Sequence, residues 1–442
     1  MSKEHRPLGA RPSALRYFLP IMVGKAIRVA ARLRGGGSAF PGYATLKLAP
    51  EFLHDITRQF EHGNIFVLGS NGKSTTTHML TSIMRAHGLS VFTNPSGGNL
   101  PQGIASSLLG QVSATGRLNA DIGVIEVDEA FGKVIAEALK PTAAVILNLQ
   151  IDQIYRFFEP ERVAGMFRDI VAEVSEIVVL NRDDHFLANL GSALEAEGRV
   201  DTSYFGLTDA AIAAAPHGQV IARDYANETG SPAAIARDVF VEVVAVEGAV
   251  ATLSIGGAIH QVRLSGRGLH YAVDAAAAIS LAHKVLGDKF SVQTSIDALQ
   301  SAKPVYGRGE VVRHEGQDLE ILLLKNLASF QMNVDYLDGA PESVMIAIDE
   351  GSKDLSWLYA ADVSKFDHVD VVSGPKAAFM ALRLGYAGID YGVVEPDLEK
   401  ALDQFLGSEL PDEGKRTLIL DYDQMIHGRR YLGHSDLESG AA

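Results

Sequence analysis

Residues 64–77 read Asn64-Ile65-Phe66-Val67-Leu68-Gly69-Ser70-Asn71-Gly72-Lys73-Ser74-Thr75-Thr76-Thr77. An apolar run with strand character passes straight into two glycines, one lysine and a run of hydroxyl residues. A turn of this kind between a strand and a helix aims backbone N–H groups, a helix N-terminus and an ammonium at one point, which suits a polyphosphate. The common eight-residue phosphate-loop spacing asks for Gly where the chain has Val67, so the loop is the shorter Gly69-x-x-Gly72-Lys73-Ser74. In this reading Lys73 contacts the β- and γ-phosphates, the Ser74 hydroxyl ligates Mg²⁺, and Gly69 and Gly72 let the backbone approach the anion. The plainer alternative makes Ser70 and Asn71 helix caps and leaves Lys73 in water.

Outward from this stretch, apolar runs alternate with helical patterns to about residue 181. Candidate strands are Asn64–Leu68, Val91–Asn94, Ile122–Val127, Ala143–Asn148 and Glu176–Leu180, with helices such as Ser74–Ala86 and Arg162–Val174 between them. The alternation predicts an α/β fold with a parallel sheet and crossover helices. Residues 207–237 lose the pattern and read as a surface excursion. From Val239 to Leu264 the residues alternate with turn signals at Glu247-Gly248 and Gly256-Gly257, which predicts an antiparallel meander, and two helices follow at Tyr271–Leu286 and Ser291–Ala302. Beyond Lys303-Pro304, strands at Leu319–Leu324, Val344–Asp349, Val369–Ser373 and Thr417–Leu420 predict a second α/β domain. The expected division is therefore residues 1–302 and 303–442.

At 442 residues and 47% hydrophobic content the chain can bury large cores. It has no run of eighteen apolar residues and no signal-peptide pattern, so a cytoplasmic protein is expected. Zero Cys excludes disulfides, thiolate zinc sites and a thiol nucleophile within this chain. The net charge of −15 argues against a nucleic-acid partner, but it is unevenly spread. Residues 1–50 hold nine Lys or Arg against Glu4 alone, a net +8, which leaves −23 on the remainder. Within them Leu15–Arg34 mixes bulky apolar and basic residues, as interfacial helices do, so contact with an anionic membrane surface is one expectation. An ordinary helix packed on the domain with a solvated basic face is the other.

Three further segments carry polar groups suited to the same site. Glu126, Asp128 and Glu129 follow the strand Ile122–Val127, at the edge where open α/β sheets gather ligands. Glu126 is the expected carboxylate for magnesium, with Asp128 or Glu129 nearby; acids placed at a helix N-terminus for its dipole are the alternative. Asn148, Asp152 and Arg156 follow the strand Ala143–Leu147 towards the same edge. There Arg156 could offset phosphate charge and Asp152 orient it or a metal-bound water, or both could cap the next helix.

These residues resemble a known family. Gly69 to Thr76 is similar to the phosphate loop of the Mur ligase superfamily, with Glu126 where that family has its magnesium-binding Glu. The segments Gly35–Gly42, Asn94–Leu100, Asn148–Arg156, Gly307–Glu310, Lys325–Phe330, Asp354–Trp357, Ser373–Ala377 and Ala381–Gly388 resemble the MurT branch, and the similarity runs from about residue 24 to 433. The resemblance implies an ATP- and Mg²⁺-dependent C–N ligase. Working with a GatD-like glutaminase subunit, it would amidate the α-carboxylate of D-glutamate in lipid II, activating it as an acyl phosphate that partner-derived ammonia attacks. A chain without Cys cannot release ammonia through its own thiolate, so glutamine-dependent chemistry needs that second subunit.

In the resemblance Arg308, just past the presumed hinge, is the cation that closes on the γ-phosphate; a surface Arg beside two glycines is the alternative. Asp354 matches the aspartate that completes the partner's Cys-His pair, with Asp349 as second choice and a helix cap as the plain alternative. Tyr271 and Asp274 fall where the family has asparagines, one of which contacts adenine. The family's zinc ribbon, matching about 207–237, is missing, so no zinc is expected. About sixty residues precede the phosphate loop, too few for the nucleotide-sugar domain of the amino-acid-adding Mur ligases. A lipid-linked acceptor would fit the basic N-terminal segment. A paralogue amidating a different carboxylate, a non-catalytic ATP-binding partner of a glutaminase and a folylpolyglutamate-synthase-like ligase remain as other readings.

Overall fold

The computed structural model describes residues 14–33, 39–94, 98–150, 160–215, 217, 237–303, 308–335, 337, 339–349, 355–409 and 415–434. The strands of the first sheet are β1 (Asn64–Leu68), β2 (Val91–Thr93), β3 (Ile122–Glu126), β4 (Ala143–Ile146), β5 (Ile177–Asn181), β6 (Asp201–Leu207), β7 (Val241–Glu247), β8 (Val250–Ile255) and β9 (Ala258–Arg263). They lie in the order β2-β3-β1-β4-β5-β6-β7-β8-β9. Pairing from β2 to β7 is parallel, and β7, β8 and β9 form the expected antiparallel meander.

Every residue of β1 is buried because helices cover both faces of the sheet, which is why the strand reads as an unbroken apolar run. The two-residue repeat of a strand then sorts its side chains. Ile65 and Val67 join one core with Leu80, Ile83 and Ala275–Ala278, while Phe66 and Leu68 join another with Phe60, Phe92, Ile125 and Ile135. The helix Leu269–Leu286 is buried along Leu269 and Tyr271–Ala282, and its alanines let it lie close against the sheet. The N-terminal helix α1 (Ala14–Leu33) packs on the opposite side through Tyr17 and Ile21, together with the short helix α2 (Phe40–Leu48). The packed-helix expectation for Leu15–Arg34 is what is observed for its inner face.

The second sheet contains β10 (Arg308–His314), β11 (Gln317–Leu323), β12 (Val344–Ala347), β13 (His368–Ser373), β14 (Asp390–Glu395) and β15 (Lys415–Leu420), in the order β10-β11-β15-β12-β13-β14. Only the β10–β11 pair is antiparallel. Val344, Ile346 and Ile348 face one core, and Met345 and Ala347 the other.

Several elements go beyond the sequence expectations. The parallel alternation continues past residue 181 through the helix His185–Glu197 and β6. Part of the expected excursion at 207–237 is ordered secondary structure, since Asp209–Ala214 is a helix capped by the Thr208 hydroxyl; residues 216 and 218–236 lie outside the described residues. The second sheet gains β10 and β14.

One buried polar anchor holds that sheet's far end. The Arg416 side chain is fully buried and donates to Gln317 Oε1 (2.7 Å), Ser343 Oγ (2.9 Å), Ser408 Oγ (2.9 Å) and the Ser408 carbonyl (2.8 Å). Arg416→Ala should strand several of these acceptors and open a cavity. It should destabilise the protein by about 2–4 kcal/mol, read by denaturant unfolding, while nucleotide affinity stays unchanged.

Candidate functional site

The first sheet reverses its winding at β1, with β3 on one side and β4 on the other, and the crevice beyond the carboxyl ends of these strands is where α/β sheets take ligands. The loop after β1 turns there on two glycines. Gly69 has φ +143 and Gly72 φ +85, and a Cβ at Gly72 would lie 2.3 Å from Asp274 Oδ1. Gly72, in the left-handed region, is the N-cap of the helix Lys73–Ala86, so the caps are neither Ser70 nor Asn71.

Those two residues instead staple the loop to the segment after β4. The Ser70 amide donates to the Asn148 carbonyl (3.2 Å), Ser70 Oγ donates to the Gln150 carbonyl (3.1 Å), and the Gln150 amide donates back to Ser70 Oγ (2.9 Å). Asn148 and Asn71 are reciprocally bonded: the Asn71 amide donates to Asn148 Oδ1 (3.0 Å) and Asn148 Nδ2 to the Asn71 carbonyl (3.2 Å). Asn71 Nδ2 also reaches Gln150 Oε1 (2.6 Å).

Lys73 is buried at the first turn of its helix. Its Nζ donates to the Gly69 and Ser70 carbonyls and lies 3.4 Å from Glu129 Oε2. Ser74 and Thr75 follow, both buried. Parallel pairing of β1 with β3 sets Glu126 level with Val67, just before the loop, and Glu126 is buried. Asn94 clamps its backbone from β2's exit, accepting from the Glu126 amide and donating to its carbonyl, both at 2.9 Å. Of the neighbouring acids, Asp128 caps the helix Glu129–Leu139 by accepting from the Ala130 amide, and Glu129 is the one that meets Lys73.

The second sheet closes over this loop. Lys325 Nζ, just beyond β11, donates to the Ser70 carbonyl at 3.2 Å, and Asn71 Nδ2 donates to Asn326 Oδ1 at 3.2 Å. Between the two sheets lies an open cleft. Asn71, Gly72, Asn148 and Gln150 form its floor, His270, Val273 and Asp274 one wall, and Lys325, Met332 and Asn333 the other. Asp274 therefore lines the cleft behind Gly72. Tyr271 does not line it, and packs into the core against Gly266. Asp152, Arg156 and Asp354 lie outside the described residues; Arg308 is the first residue of β10, opposite Leu322, and its side chain also lies outside them.

Gln150, His270 and Asn333 were not singled out in the sequence as site residues; Glu129 was expected near Glu126, and here it meets Lys73. Gln150 had a signal, since it leaves the same strand two residues after Asn148. Among the described residues no group of three or more His, Asp or Glu side chains could cage a metal ion. A hydroxyl at Ser74 and a carboxylate at Glu126 are hard oxygen donors, and this small set fits Mg²⁺, which is commonly held by one or two protein oxygens together with substrate phosphates.

The comparisons bear on this architecture. The family model described as Mur ligase middle domain matches residues 67–282, a span that holds the phosphate loop, Glu126, Asn148 and Asp274. Over that span the chain is similar to the Mur ligase superfamily. It is 24% identical over 449 residues to the lipid II isoglutaminyl synthase (glutamine-hydrolyzing) subunit MurT of Streptococcus pneumoniae, covering 95% of this chain and 97% of that one. Its fold is similar to MurF of Acinetobacter baumannii, with a TM-score of 0.65 at 17% identity over 88% of this chain and 79% of that one. It is also similar to folylpolyglutamate synthase of Mycobacterium tuberculosis, solved with ADP and AMPPCP, with a TM-score of 0.62 at 15% identity over 95% of this chain and 96% of that one. The Mur ligase-like fold of two α/β units, the first ending in an antiparallel subsheet and the second Rossmann-like, is the one the sequence leads us to expect.

A second polar cluster sits at the carboxyl edge of the other sheet. The Asp349 amide, beyond β12, donates to Asp421 Oδ2 at 2.5 Å, and Asp423 hydrogen-bonds the Asp349 side chain. Burial, opposed by the Asp349 and Gln424 amides and assisted by the Asp349 charge, pushes the Asp421 carboxyl up to about 7. A carboxyl raised on folding stabilises the fold fully below its unfolded value near pH 4, and that contribution is lost as pH rises through about 7. Asp421→Asn should therefore raise the melting temperature at pH 8 and leave it near the parent's at pH 4; an equal offset at both pH values would show that ionisation is not the cause.

Proposed function

We propose that this chain is the ATP-dependent synthetase subunit of a glutamine amidotransferase. The observation that carries the reading is the phosphate loop stapled to Asn148 and Gln150 on one side and met by Lys325 and Asn326 of the second sheet on the other. ATP would lie in this cleft with its phosphates at the helix N-terminus of Lys73. Ser74 and Glu126 would hold Mg²⁺, which when bound neutralises charge on the phosphates. Lys73 would leave the Gly69 and Ser70 carbonyls for phosphate oxygens, and Glu129 sets its position. The division at 302/303 is proposed as the hinge, with Arg308 brought to the γ-phosphate as the units close.

The reaction follows from that placement. A carboxylate oxygen of the acceptor attacks the γ-phosphorus in line, ADP departs, and the carboxyl group becomes an acyl phosphate. Ammonia then attacks its carbonyl carbon and inorganic phosphate leaves, giving an amide after proton loss. The relative named a lipid II isoglutaminyl synthase subunit supports the α-carboxylate of D-glutamate in lipid II as that acceptor. An acceptor carried on a lipid is met at a membrane, so the proposal places residues 1–50 at the inner face. Among the described residues no helix is long and apolar enough to cross one.

Ammonia would come from a GatD-like glutaminase. A docking surface for it is supported at the far edge of the second sheet, where β14 exposes Tyr391, Val393 and Val394 and the helix Ala377–Ala387 exposes Phe379, Leu382 and Tyr386, the last 75% exposed. A free edge strand beside an apolar helix face is a surface that commonly recruits a partner. Asp354, or Asp349 in its place, would orient the partner's imidazole in the tautomer that activates its thiol.

Lys73→Ala should weaken ATP binding by roughly 10²-fold in calorimetry, and near-parental affinity would remove the phosphate-loop assignment. In the copurified complex, Asp354→Asn should suppress glutamine-dependent amidation and spare amidation supplied with free ammonia. Equal loss of both would place Asp354 in the ATP site or the fold, and the same pair of assays on Asp349→Asn decides between the two aspartates.

A further inference from the structure

The first helix is apolar on two sides, and the domain uses only one of them. Its inner side is fixed at several points. Tyr17 and Ile21 are fully buried, the Tyr17 hydroxyl donates to Asp55 (2.6 Å), and Lys25 Nζ donates to the Val112 carbonyl (2.5 Å). Gly24 lies so close to Thr45 and Leu109 that a Cβ there would collide with both. The rotation of α1 about its own axis is therefore set by packing.

What this leaves outside is a stripe of Phe18, Leu19, Met22, Ala26, Val29 and Ala30, with Phe18 50% and Leu19 67% exposed. The spacing keeps these residues on one helix face over about three turns, roughly 17 Å. The neighbouring α2 exposes Phe40 and Tyr43, whose rings stack at 6.3 Å, and Leu48 beside the exposed Lys47. Monomeric proteins seldom leave so many large apolar side chains in water on one element without a use for them.

We infer that the outer face of α1, extended by α2, docks on an anionic lipid bilayer. Charge selects this occupant. Helix α1 carries Arg16, Lys25, Arg28 and Arg32 and no acidic residue; Lys25 is turned inward to the Val112 carbonyl, and Arg16, with its side chain 54% exposed, stands at the border of the outer face. Residues 1–50 are net +8 against −23 for the remainder, so an anionic surface attracts this end and repels the rest, which also orients the molecule. A second copy would bring the same positive surface against itself. Apolar side chains flanked by long basic ones match the layering of a bilayer interface, where the former enter the acyl boundary and the latter meet phosphate headgroups. The inference rests on the proposed inner-face location and assigns that contact to one preformed helix face.

The test is cosedimentation of the full chain with phosphatidylglycerol–phosphatidylcholine vesicles and with pure phosphatidylcholine vesicles. Binding should be at least about tenfold tighter to the anionic vesicles and should weaken with added salt. The double variant Leu19→Glu/Met22→Glu should lose about tenfold or more of it, with ATP affinity in solution and melting temperature unchanged. Leu19→Ser/Met22→Ser serves if the acidic pair impairs folding. Binding to neither vesicle, or equal binding of parent and variant, overturns the inference. So does loss of a copurifying subunit or a change of oligomeric state in the variant without any vesicle binding by the parent, which would assign the face to protein. Failure here with ATP affinity intact leaves the ligase reading standing, whereas failure of Lys73→Ala to affect ATP binding removes that reading and not this one.

Discussion

Parallel pairing of β1 with β4 is the constraint on which the site depends. It brings the exits of two strands some eighty residues apart in sequence to adjacent points on one edge, so that Ser70 and Asn71 are answered by Gln150 and Asn148. A glycine turn by itself is floppy, because glycine loses more freedom on folding than other residues. Reciprocal side-chain to backbone bonds across the strand junction remove that freedom before any ligand arrives. The loop is thereby held with Asn71 and Gly72 lining the cleft, and Asn94 fixes the backbone of Glu126 on the other flank.

The second sheet is joined to this loop through few but directional contacts. Lys325 and Asn326 reach Ser70 and Asn71, and further out Arg267 of the first unit pairs with the buried Glu320 of β11, which Lys415 also contacts. A carboxylate so deeply buried is tolerable only while its cations are present. Arg267 therefore ties the first unit to the second through a carboxylate buried in β11.

Legibility in the sequence followed burial. Strands covered on both faces, such as β1, β3, β4 and β12, announce themselves as continuous apolar runs, and the meander announces itself by alternation with glycine turns. Those passed over have identifiable reasons. β14 is an exposed edge strand with Gly392 at its centre, β10 opens on Arg308-Gly309-Glu310 and shifts register there, and β6 begins on the polar Asp201-Thr202-Ser203. At the site, loop glycines and Lys73 were legible because their spacing is local. The pairings of Gln150 with Asn71, of Glu129 with Lys73 and of Asn326 with Asn71 were not, since they arise from strand order and from the second sheet's approach, neither of which is written in nearby residues. Helical periodicity explains why Tyr271 turns into the core while His270 and Asp274, one turn apart on the same helix, line the opening.

The two sheets present the same topological place with opposite chemistry. At the carboxyl edge of the first, buried Lys73, a helix N-terminus and hydroxyl groups collect what an anion needs. At the carboxyl edge of the second, Asp349, Asp421 and Asp423 crowd together, burial and mutual repulsion holding the Asp421 carboxyl towards its protonated form near neutrality. A phosphate would be repelled there, while an imidazole that must carry a proton would be favoured. One edge gathers a buried lysine and hydroxyls, and the other gathers carboxylates.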